Sequence, residues 1–502
     1  MLDSHSSKTS AVARARRRIT GMWIFSAATA VAAISLSGAA QAALTISTGK
    51  TKNVACNAGV CAPTSATAVL NVSQLESMLA SSSVEVTTGS LGASVSDIDV
   101  QAGITWSSAN ALTLDAYNSV YIGRPVAVTG TGGVTITHDD GGTTGNFLIG
   151  PTANIHFLGL SNSLTIDGHG YTLVGDIVTL VADVSNNPSG NFALADKYNA
   201  ARDGTYSNSP VPNLSGRFDG LGNIISGLTI SAPNGGGVGF ISSLSATAHA
   251  KHVRLHNVNI NAGSGSLVGG VVAQNDGEVS GSFVSGKIIA GNSNQYGTLA
   301  GGLVGQNGST GTILNNVVDV KISAGASSQS ITGVGGLVGW NGGSITDSFA
   351  AGSVKGGTGS QVGGLVGQNN GGTIQNAYAV ASVAVDKNGA AGGLIGASNP
   401  GQYTAVYSSG AVSGKAGSLL GGLIGNDFGS FDFTDAYWDM TSSGITNPDQ
   451  GAGNVQNDAG ITGLTTTQLQ AGLPAGFSNT IWAESAKLNG GLPYLLVLPP
   501  AK

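Results

Sequence analysis

The sequence predicts an all-β fold, a right-handed parallel β-helix (β-solenoid) with about three short strands per coil and capped ends. Three observations predict it: an internal repeat, short apolar segments bounded by Gly, Asn and Ser, and an unusual composition. The 502 residues include 80 glycines, and only 9% are charged, against about 25% in an average soluble domain. Hydrophobic residues make up 41%, so the chain has apolar surface to bury.

The repeat opens with a Gly-Gly pair followed by aliphatic residues. Six copies start 32, 34, 28, 29 and 29 residues apart. They are GGVVAQN from Gly269, GGLVGQN from Gly301, GGLVGWN from Gly335, GGLVGQN from Gly363, GGLIGAS from Gly392 and GGLIGND from Gly421. Their glycines allow tight bends and close approach of neighbouring backbones. The pairs assigned to the repeat motif are Gly301 and Gly302, Gly335 and Gly336, Gly363 and Gly364, Gly392 and Gly393, and Gly421 and Gly422.

A second segment in each repeat places apolar residues four apart, as in Ile313 and Val317 or Ile345 and Phe349. This spacing also fits one helical turn, but the segments are short, β-branched and aromatic-rich, which favours strands. Strands this short pair with their copies above and below at a spacing of about 4.8 Å when the repeats stack.

Between these apolar pairs lie Asn315, Asp347, Asn376 and Asp435. Two interpretations stay open. The side chains form a hydrogen-bonded ladder along the stack, or the residues occupy turns.

The N-terminus reads as a secretion signal. Four arginines between Arg14 and Arg18 precede an apolar stretch, residues 23–36, which is too short for a membrane span of about 20 residues. Ala40-Gln41-Ala42 gives a small-x-small pattern that predicts cleavage between Ala42 and Ala43. Cys56 and Cys61, the only cysteines, predict a local disulfide in an oxidising compartment.

The chain divides into five predicted regions. A helix from Val72 to Ala80, with Ser73 and Glu76 in capping-box spacing, is expected near the start. The regions are a signal peptide (1–42), an N-terminal cap with the helix and the cysteine pair (43–83), irregular β-helix coils with a looped excursion (84–215), the repeat β-helix (216–440) and a C-terminal cap (441–502).

The phrases GGLVGQN and GGLIG resemble the glycine-rich GLUG motif of filamentous-haemagglutinin-like bacterial surface proteins. The segment FDGLGNIISGLTI from Phe218 resembles the entry that precedes such repeats, and Ala436-Tyr437-Trp438-Asp439 resembles part of their closing segment. The resemblance covers roughly residues 90–500 and implies a secreted or surface-displayed β-helix that acts in adhesion. It also makes an outer-membrane export partner a candidate.

We therefore expect an exported, adhesin-like binding protein with no catalysis and no cofactor, whose flank binds a glycan or a surface protein. The net charge of −6 and the lack of a basic patch after the first twenty residues argue against nucleic acid. The oligomeric state is not predicted. Candidate ligand contacts are aromatic, with inward packing as the alternative for the tyrosines: Trp340, Tyr378, Tyr403, Tyr407 and Trp438.

A polysaccharide lyase or hydrolase and a passive spacer are the alternatives. An enzyme requires convergent carboxylates in a groove, which the sequence locates near residues 138–219. The first candidate cluster, His138-Asp139-Asp140, precedes glycine and reads better as a solvated turn. The second consists of Asp196, Asp203 and Asp219 with Arg202 and Arg217, which read better as surface charges with local partners.

Overall fold

The computed structural model describes residues 42–89, 95–140, 142, 145–234, 236–292, 297–327, 332–429 and 432–500. They form an all-β chain whose mostly parallel strands stack as a β-solenoid of about 13 turns, with few helices. The predicted parallel solenoid is confirmed, and its right-handed sense stays a prediction. Of the predicted signal peptide only Ala42 lies within the described residues, where it begins the first strand.

The N-terminal coils contribute strands to three sheets, N1 to N3. N1 contains Ala42–Ser47, Ala68–Asn71, Val95–Val100, Val120–Ile122 and Phe147–Ile149. N2 contains Ile104–Trp106, Val126–Val128 and Ile155–Phe157. N3 contains Val54–Asn57, Val60–Pro63, Val84–Thr87, Leu112–Asp115, Val134–Thr137 and Leu164–Ile166.

The repeat coils contribute to three further sheets, R1 to R3, so each coil again has three sides. R1 contains Asn191–Leu194, Tyr198–Asn199, Thr205–Tyr206, Arg217–Asp219, Ile224–Ser226, Thr229–Ala232, His249–Lys251, Arg254–Ala262, Glu278–Ser280, Phe283–Ala290, Thr312–Leu314, Val317–Ala324, Ser344–Gly356, Thr373–Ala379, Ser382–Val385, Gln402–Ser408, Val412–Gly414, Asp432–Asp439 and Ile461–Leu464. R2 contains Val211–Leu214, Ile241–Leu244, Val272–Asn275, Val304–Asn307, Val338–Asn341, Val366–Asn369, Ile395–Ser398 and Ile424–Asp427. R3 contains Gly237–Val238, Leu267–Val268, Thr298–Gly301, Thr332–Gly335, Gln361–Gly363, Ala390–Gly392 and Leu419–Gly421.

Strand His169–Val174 joins the two sets, because it pairs antiparallel with Leu164–Ile166 and parallel with Asn191–Leu194. A separate two-stranded sheet near the C-terminus pairs Trp482–Ala483 with Tyr494–Leu495.

Helices are short and lie outside the regular coils. They are α1 (Val72–Leu79), α2 (Ile177–Asn186), α3 (Met440–Ser443), α4 (Thr466–Leu469) and two 3₁₀ turns, Ala200–Asp203 and Asn489–Gly491. In the described part of the chain, none of them could cross a membrane. The predicted capping box of α1 does not form: Asn71 caps the helix by accepting from the Gln74 amide, and Glu76 accepts from the Thr105 amide instead. Asn71 is the last residue of strand Ala68–Asn71 and directly precedes the helix, which puts its side chain in the N-cap position.

Cys56 and Cys61 form a disulfide bond between the antiparallel strands Val54–Asn57 and Val60–Pro63. Cys61 is fully buried and packs in the core of the N-terminal coils. The bond therefore joins the two strands of a hairpin at the start of N3, and Cys61 anchors this hairpin in that core.

Two apolar cores run along the solenoid, one inside the N-terminal coils and one inside the repeat coils. Each is a set of ladders, since parallel strands place equivalent residues in register. In R1, for example, Val279, Ile313, Ile345 and Ile374 are consecutive partners and are buried.

The glycines of the repeat let R2 and R3 pack with backbone against backbone. A Cβ on Gly301 would lie 2.0 Å from the carbonyl oxygen of Val304. A Cβ on Gly339 would lie 2.6 Å from the carbonyl oxygen of Gly305 and 2.6 Å from the amide nitrogen of Ala300. Real Cβ atoms do not approach so closely, so only glycine fits at these positions.

A buried amide ladder runs beside these glycines. Asn275 donates to Asn307 at 2.7 Å, Asn307 to Asn341 at 2.8 Å, and Asn341 to Asn369 at 2.7 Å. Asn369 then donates to the hydroxyl of Tyr403 at 2.7 Å. These asparagines end the AQN, GQN and GWN phrases of the repeat, so each coil fixes the register of the next.

The C-terminal segment covers an aromatic column on the outside of the solenoid. Phe349, Tyr378 and Tyr407 stack with ring centroids 4.6 and 5.0 Å apart, and Phe477 and Trp482 pack over the column. Tyr407 donates to the carbonyl of Pro493 at 2.5 Å. Strand Ile461–Leu464 also pairs with Asp432–Asp439, the last long strand of R1. The C-terminal segment therefore covers both the end of R1 and the aromatic column.

Candidate functional site: a charged cleft that opens onto a polar flank

A cleft of about 130 Å³ lies where the last N-terminal coil meets the first repeat coils. One wall is the hairpin of Leu164–Ile166 and His169–Val174, together with residues 138 and 146–148. The other wall is R1, where Arg217, His249 and Glu278 are consecutive register partners. The cleft therefore forms only when the two sets of coils are joined.

Glu278 is held by two basic side chains. Its carboxylate lies 2.9 Å from His249 Nδ1 and 3.0 Å from Lys251 Nζ, and it accepts from the Ser280 hydroxyl at 2.7 Å. Burial works against ionisation of Glu278, but the bonds from His249 and Lys251 outweigh it and hold the pKa of Glu278 far below its usual range. The carboxylate thus stays ionised at all ordinary pH values.

His138 and Asp167 form the pair on the opposite wall, with His138 Nε2 3.0 Å from an Asp167 oxygen. Burial raises the pKa of Asp167, but the hydrogen bonds with His138 and the nearby charges together lower it by more, so the net pKa is below the ordinary value. Asp167 and Gly168 both have positive φ angles, 48° and 74°, as a two-residue type I′ hairpin turn requires. The same turn therefore reverses the chain and positions the acid.

His252 and Asp219 form a buried pair at the base of the cleft, each with a side chain 3% exposed. His252 Nδ1 lies 3.1 Å from Asp219 Oδ1, and His252 Nε2 lies 3.2 Å from the carbonyl oxygen of Phe147. Both acceptors are satisfied only if both ring nitrogens carry a proton, because neutral imidazole has a single N–H. The geometry therefore fits an imidazolium paired with the Asp219 carboxylate.

Arg254 completes the junction from the same strand region. Its guanidinium is buried and donates to four backbone carbonyls, those of Ala153, Gly222, Ile149 and Gly150, at 2.6–3.2 Å. Burial lowers the pKa of Arg254 to about 10, so it stays charged at neutral pH. Phe147–Ile149 is the edge strand of N1. His252 and Arg254 thus supply donors to carbonyls that a sheet edge would leave unpaired.

Arg217 differs from the other charged groups of the cleft. It lines the cleft but makes no ion pair or side-chain hydrogen bond with any residue in the described ranges. The Tyr171 ring is near it. Burial, and then the negative charge of Asp219, raise the pKa of Tyr171 well above its ordinary value, so its hydroxyl keeps its proton.

Beyond the cleft, R1 continues as a polar flank of two outward columns. The first column runs on from Glu278 as Thr312, Ser344, Thr373 and Gln402, and the second from Ser280 as Leu314, Thr346, Gln375 and Thr404. Thr373, Gln375 and Gln402 are exposed. Leu314 also lines the cleft, so the charged end and the uncharged end form one continuous face. We call these columns the polar flank.

Asn315, Asp347, Asn376 and Asp435 lie at the bend next to this flank. Their φ angles are 58°, 47°, 49° and 57°, which is the left-handed region that Asn and Asp tolerate. Their backbone therefore has the conformation that the interpretation of these residues as turn residues requires. The ladder interpretation also holds for one pair, because Asp347 and Asn376 share a side-chain hydrogen bond. Burial raises the pKa of Asp347, and this hydrogen bond lowers it by less.

The aromatic candidates are mostly interior. Tyr378, Tyr403, Tyr407 and Trp438 are fully buried, so they are not available as ligand contacts in this structure. Trp340 is partly exposed on R2. The tyrosines pack inward, which was the alternative to ligand contact. Tyr378 and Tyr407 lie under the C-terminal segment, and Tyr403 accepts the last hydrogen bond of the amide ladder.

The fold places the charged residues that the sequence singled out for a catalytic site in different parts of the molecule. His138, Asp219 and Arg217 meet in the cleft. Asp203 accepts from the hydroxyls of Tyr198 and Tyr206 in the excursion, and Asp139 adopts a positive φ in its turn. Asp140, Asp196 and Arg202 do not line the cleft. No group of three or more ligands able to hold a metal ion occurs among the described residues.

Sequence reasoning missed Asp167, His249, Lys251, His252 and Glu278. The Asp167-Gly168 dipeptide between two apolar segments was an available hairpin signal. No local signal identifies the other four, because residues in different coils become neighbours only through the register of R1.

Comparisons with known proteins agree with the repeat pattern. Residues 330–355 match the model of the GLUG motif. No match was found among curated proteins. Among solved structures, the chain resembles a putative immunoglobulin A1 protease from Bacteroides ovatus, with 17% identity and a TM-score of 0.42 over 66% of this chain and 92% of that chain. A β-helix with a GLUG motif suggests a surface or secreted protein. The filamentous-haemagglutinin-like resemblance stays a prediction.

Proposed function

We propose that this chain is a secreted or surface-exposed, adhesin-like protein that binds glycans along the polar flank and performs no catalysis. The observation that carries the proposal is the continuous face that runs from the cleft through the two outward columns of R1. Its hydroxyl and amide groups repeat at the strand spacing of about 4.8 Å.

Such columns suit an extended, hydroxyl-rich polymer. Thr373, Gln375 and Gln402 each present hydrogen-bonding groups to solvent, and the solenoid holds them in fixed positions. A rigid array loses little conformational entropy when a ligand binds. Many weak contacts along one polymer then add up to useful affinity.

The carboxylates of the cleft support binding rather than turnover. Asp167, Asp219 and Glu278 are each bonded to a basic side chain of the chain. A general acid needs a raised pKa and a general base needs a free lone pair near the substrate. The pKa values of Asp167 and Glu278 are lowered instead, which makes both groups weak bases and poor proton donors.

A polysaccharide lyase or hydrolase remains the second candidate, because three carboxylates and several histidines surround one cleft. The two proposals differ in a measurable product. Residues 43–502, incubated with acidic and neutral polysaccharides, are expected to release no new reducing or unsaturated ends. Turnover that Asp219→Asn abolishes would establish the enzyme.

The binding proposal is tested on a glycan array with residues 43–502. We expect binding to at least one class of glycan, weakened by the double substitution Thr373→Ala and Gln375→Ala, which removes exposed hydrogen-bonding groups. The matched control is Gln274→Ala, which removes an exposed amide from R2. Equal binding by both variants would contradict a role for the polar flank, and no binding at all would favour a passive spacer.

A further inference from the structure

Arg217 is a cation without a bonded partner, among the residues that the structure describes, at the charged end of the polar flank. The three carboxylates that line the cleft are each bonded to basic side chains: Asp167 to His138, Asp219 to His252, and Glu278 to Lys251 and His249. Arg217 has no such bond in the part of the chain that the structure describes. Its planar guanidinium offers five donors that nothing in the described cleft uses.

His249 and Tyr171 add hydrogen-bonding groups beside Arg217 in the cleft. On R1 its register partner is His249, whose Nδ1 bonds to Glu278 while its Nε2 is not used by that bond. The Tyr171 hydroxyl keeps its proton, since burial raises the pKa of Tyr171, and Tyr171 lines the same cleft. An anion in the cleft would therefore have the charged N–H donors of the Arg217 guanidinium and the neutral hydroxyl of Tyr171 as hydrogen-bond partners.

The size of the cleft limits what enters it. Its volume of about 130 Å³ is below the roughly 300 Å³ at which pockets for whole small ligands begin. A single charged substituent fits, and the remainder of the ligand must lie outside. Because Leu314 and Asn315 line the cleft and also belong to the flank and its bend, the outward path leads onto the polar flank.

We infer that the cleft is a subsite for the anionic group, a carboxylate or a sulfate, of an acidic glycan whose chain lies along the polar flank. Arg217 binds the anion through bidentate hydrogen bonds, which carboxylate and sulfate oxygens both accept. The inference rests on the proposed function and adds to it the class of glycan and the residue that selects it.

The test is a calorimetric titration of residues 43–502 with three probes: a galacturonic acid hexamer, its fully methyl-esterified form, and a sulfated oligosaccharide of similar length. We expect at least one anionic probe to bind, and the neutral ester to bind roughly tenfold more weakly or not at all. Arg217→Gln should weaken the anionic probe by roughly tenfold and leave the ester unchanged. Arg217→Lys should recover part of the loss, because Lys keeps the charge but not the fork.

The matched control is Arg202→Gln, which removes an exposed arginine outside the cleft and should leave all affinities unchanged. Arg217 makes no side-chain bond in the described ranges, so the melting temperature of Arg217→Gln should equal that of the wild type. Equal binding of acid and ester, or an anion affinity that Arg217→Gln does not change, would overturn the inference while the glycan-binding proposal stands. Failure to bind any glycan, charged or neutral, would overturn both.

Discussion

The N-terminal coils and the repeat coils differ in what separates their sheets. In the N-terminal coils, side chains fill the interior, and short strands such as Leu112–Asp115 alternate between buried and half-buried residues. In the repeat coils, R2 and R3 meet through glycine, and almost every residue of Val366–Asn369 is buried. Both regions belong to the same solenoid, but they are packed in two ways.

This difference explains why only one region repeats in sequence. A side-chain core tolerates exchanges among apolar residues of similar size, so the N-terminal coils need no fixed phrase. Backbone packing requires glycine at the same position in every coil, and the amide ladder requires asparagine. The charges gather where the two regions meet, because the edge strands of the N-terminal coils need donors there.

The largest effect is expected from Gly339→Val, which attacks the packing found only in the repeat coils. Its Cβ would lie 2.6 Å from backbone atoms of two neighbouring strands, and backbone cannot yield as a side chain can. We expect the repeat coils to fail to fold, seen as loss of the β signal in circular dichroism. Gly236→Ala is the control, since a Cβ there meets nothing within 4 Å. A stable Gly339→Val variant would contradict backbone packing of R2 on R3.

Arg254→Met separates the two regions without touching either core. It removes a donor from each of four backbone carbonyls, of which that of Gly150 keeps the Ala153 amide as a second donor. The cost is at least about 3 kcal/mol in the free energy of unfolding. Because the contact joins the two sets of coils, denaturant unfolding should change from one transition to two. A single transition at the wild-type midpoint would mean that the junction does not depend on this side chain.

The smallest effect concerns pH at the C-terminal end of the repeat coils. Burial, and then a hydrogen bond and charge repulsion from Asp427, raise the pKa of Asp458 to about 7 from 3.8. A raised folded-state pKa contributes stability that is complete below the unfolded value and is lost as pH rises through the folded value. Wild-type stability should therefore fall between about pH 4 and pH 7.

Asp458→Asn should remove that decline and raise the melting temperature at pH 8, as measured by thermal unfolding across this pH range. Asp449→Asn, in the same segment, serves as the control and should keep the wild-type profile. If both variants follow the wild type, the pair of acids does not affect stability.

The repeat coils were predictable from sequence because glycine and asparagine return at fixed positions, and each has one physical reason to be there. The cleft was only partly predictable. His138, Asp219 and Arg217 stood out as polar residues in a chain with few charged residues. Their grouping, however, depends on a hairpin at Asp167-Gly168 and on the register in which the strands of R1 pair from one coil to the next. The burial of Tyr378 and Tyr407 depends on a C-terminal segment about 70 to 120 residues away in sequence, which no local pattern encodes.

A crystal structure of residues 43–502 with an acidic oligosaccharide bound tests the central claim most directly. We expect a sugar chain along the polar flank with its anionic group against the guanidinium of Arg217. A ligand seated on R2 or R3, or an anionic group held away from the cleft, would contradict it.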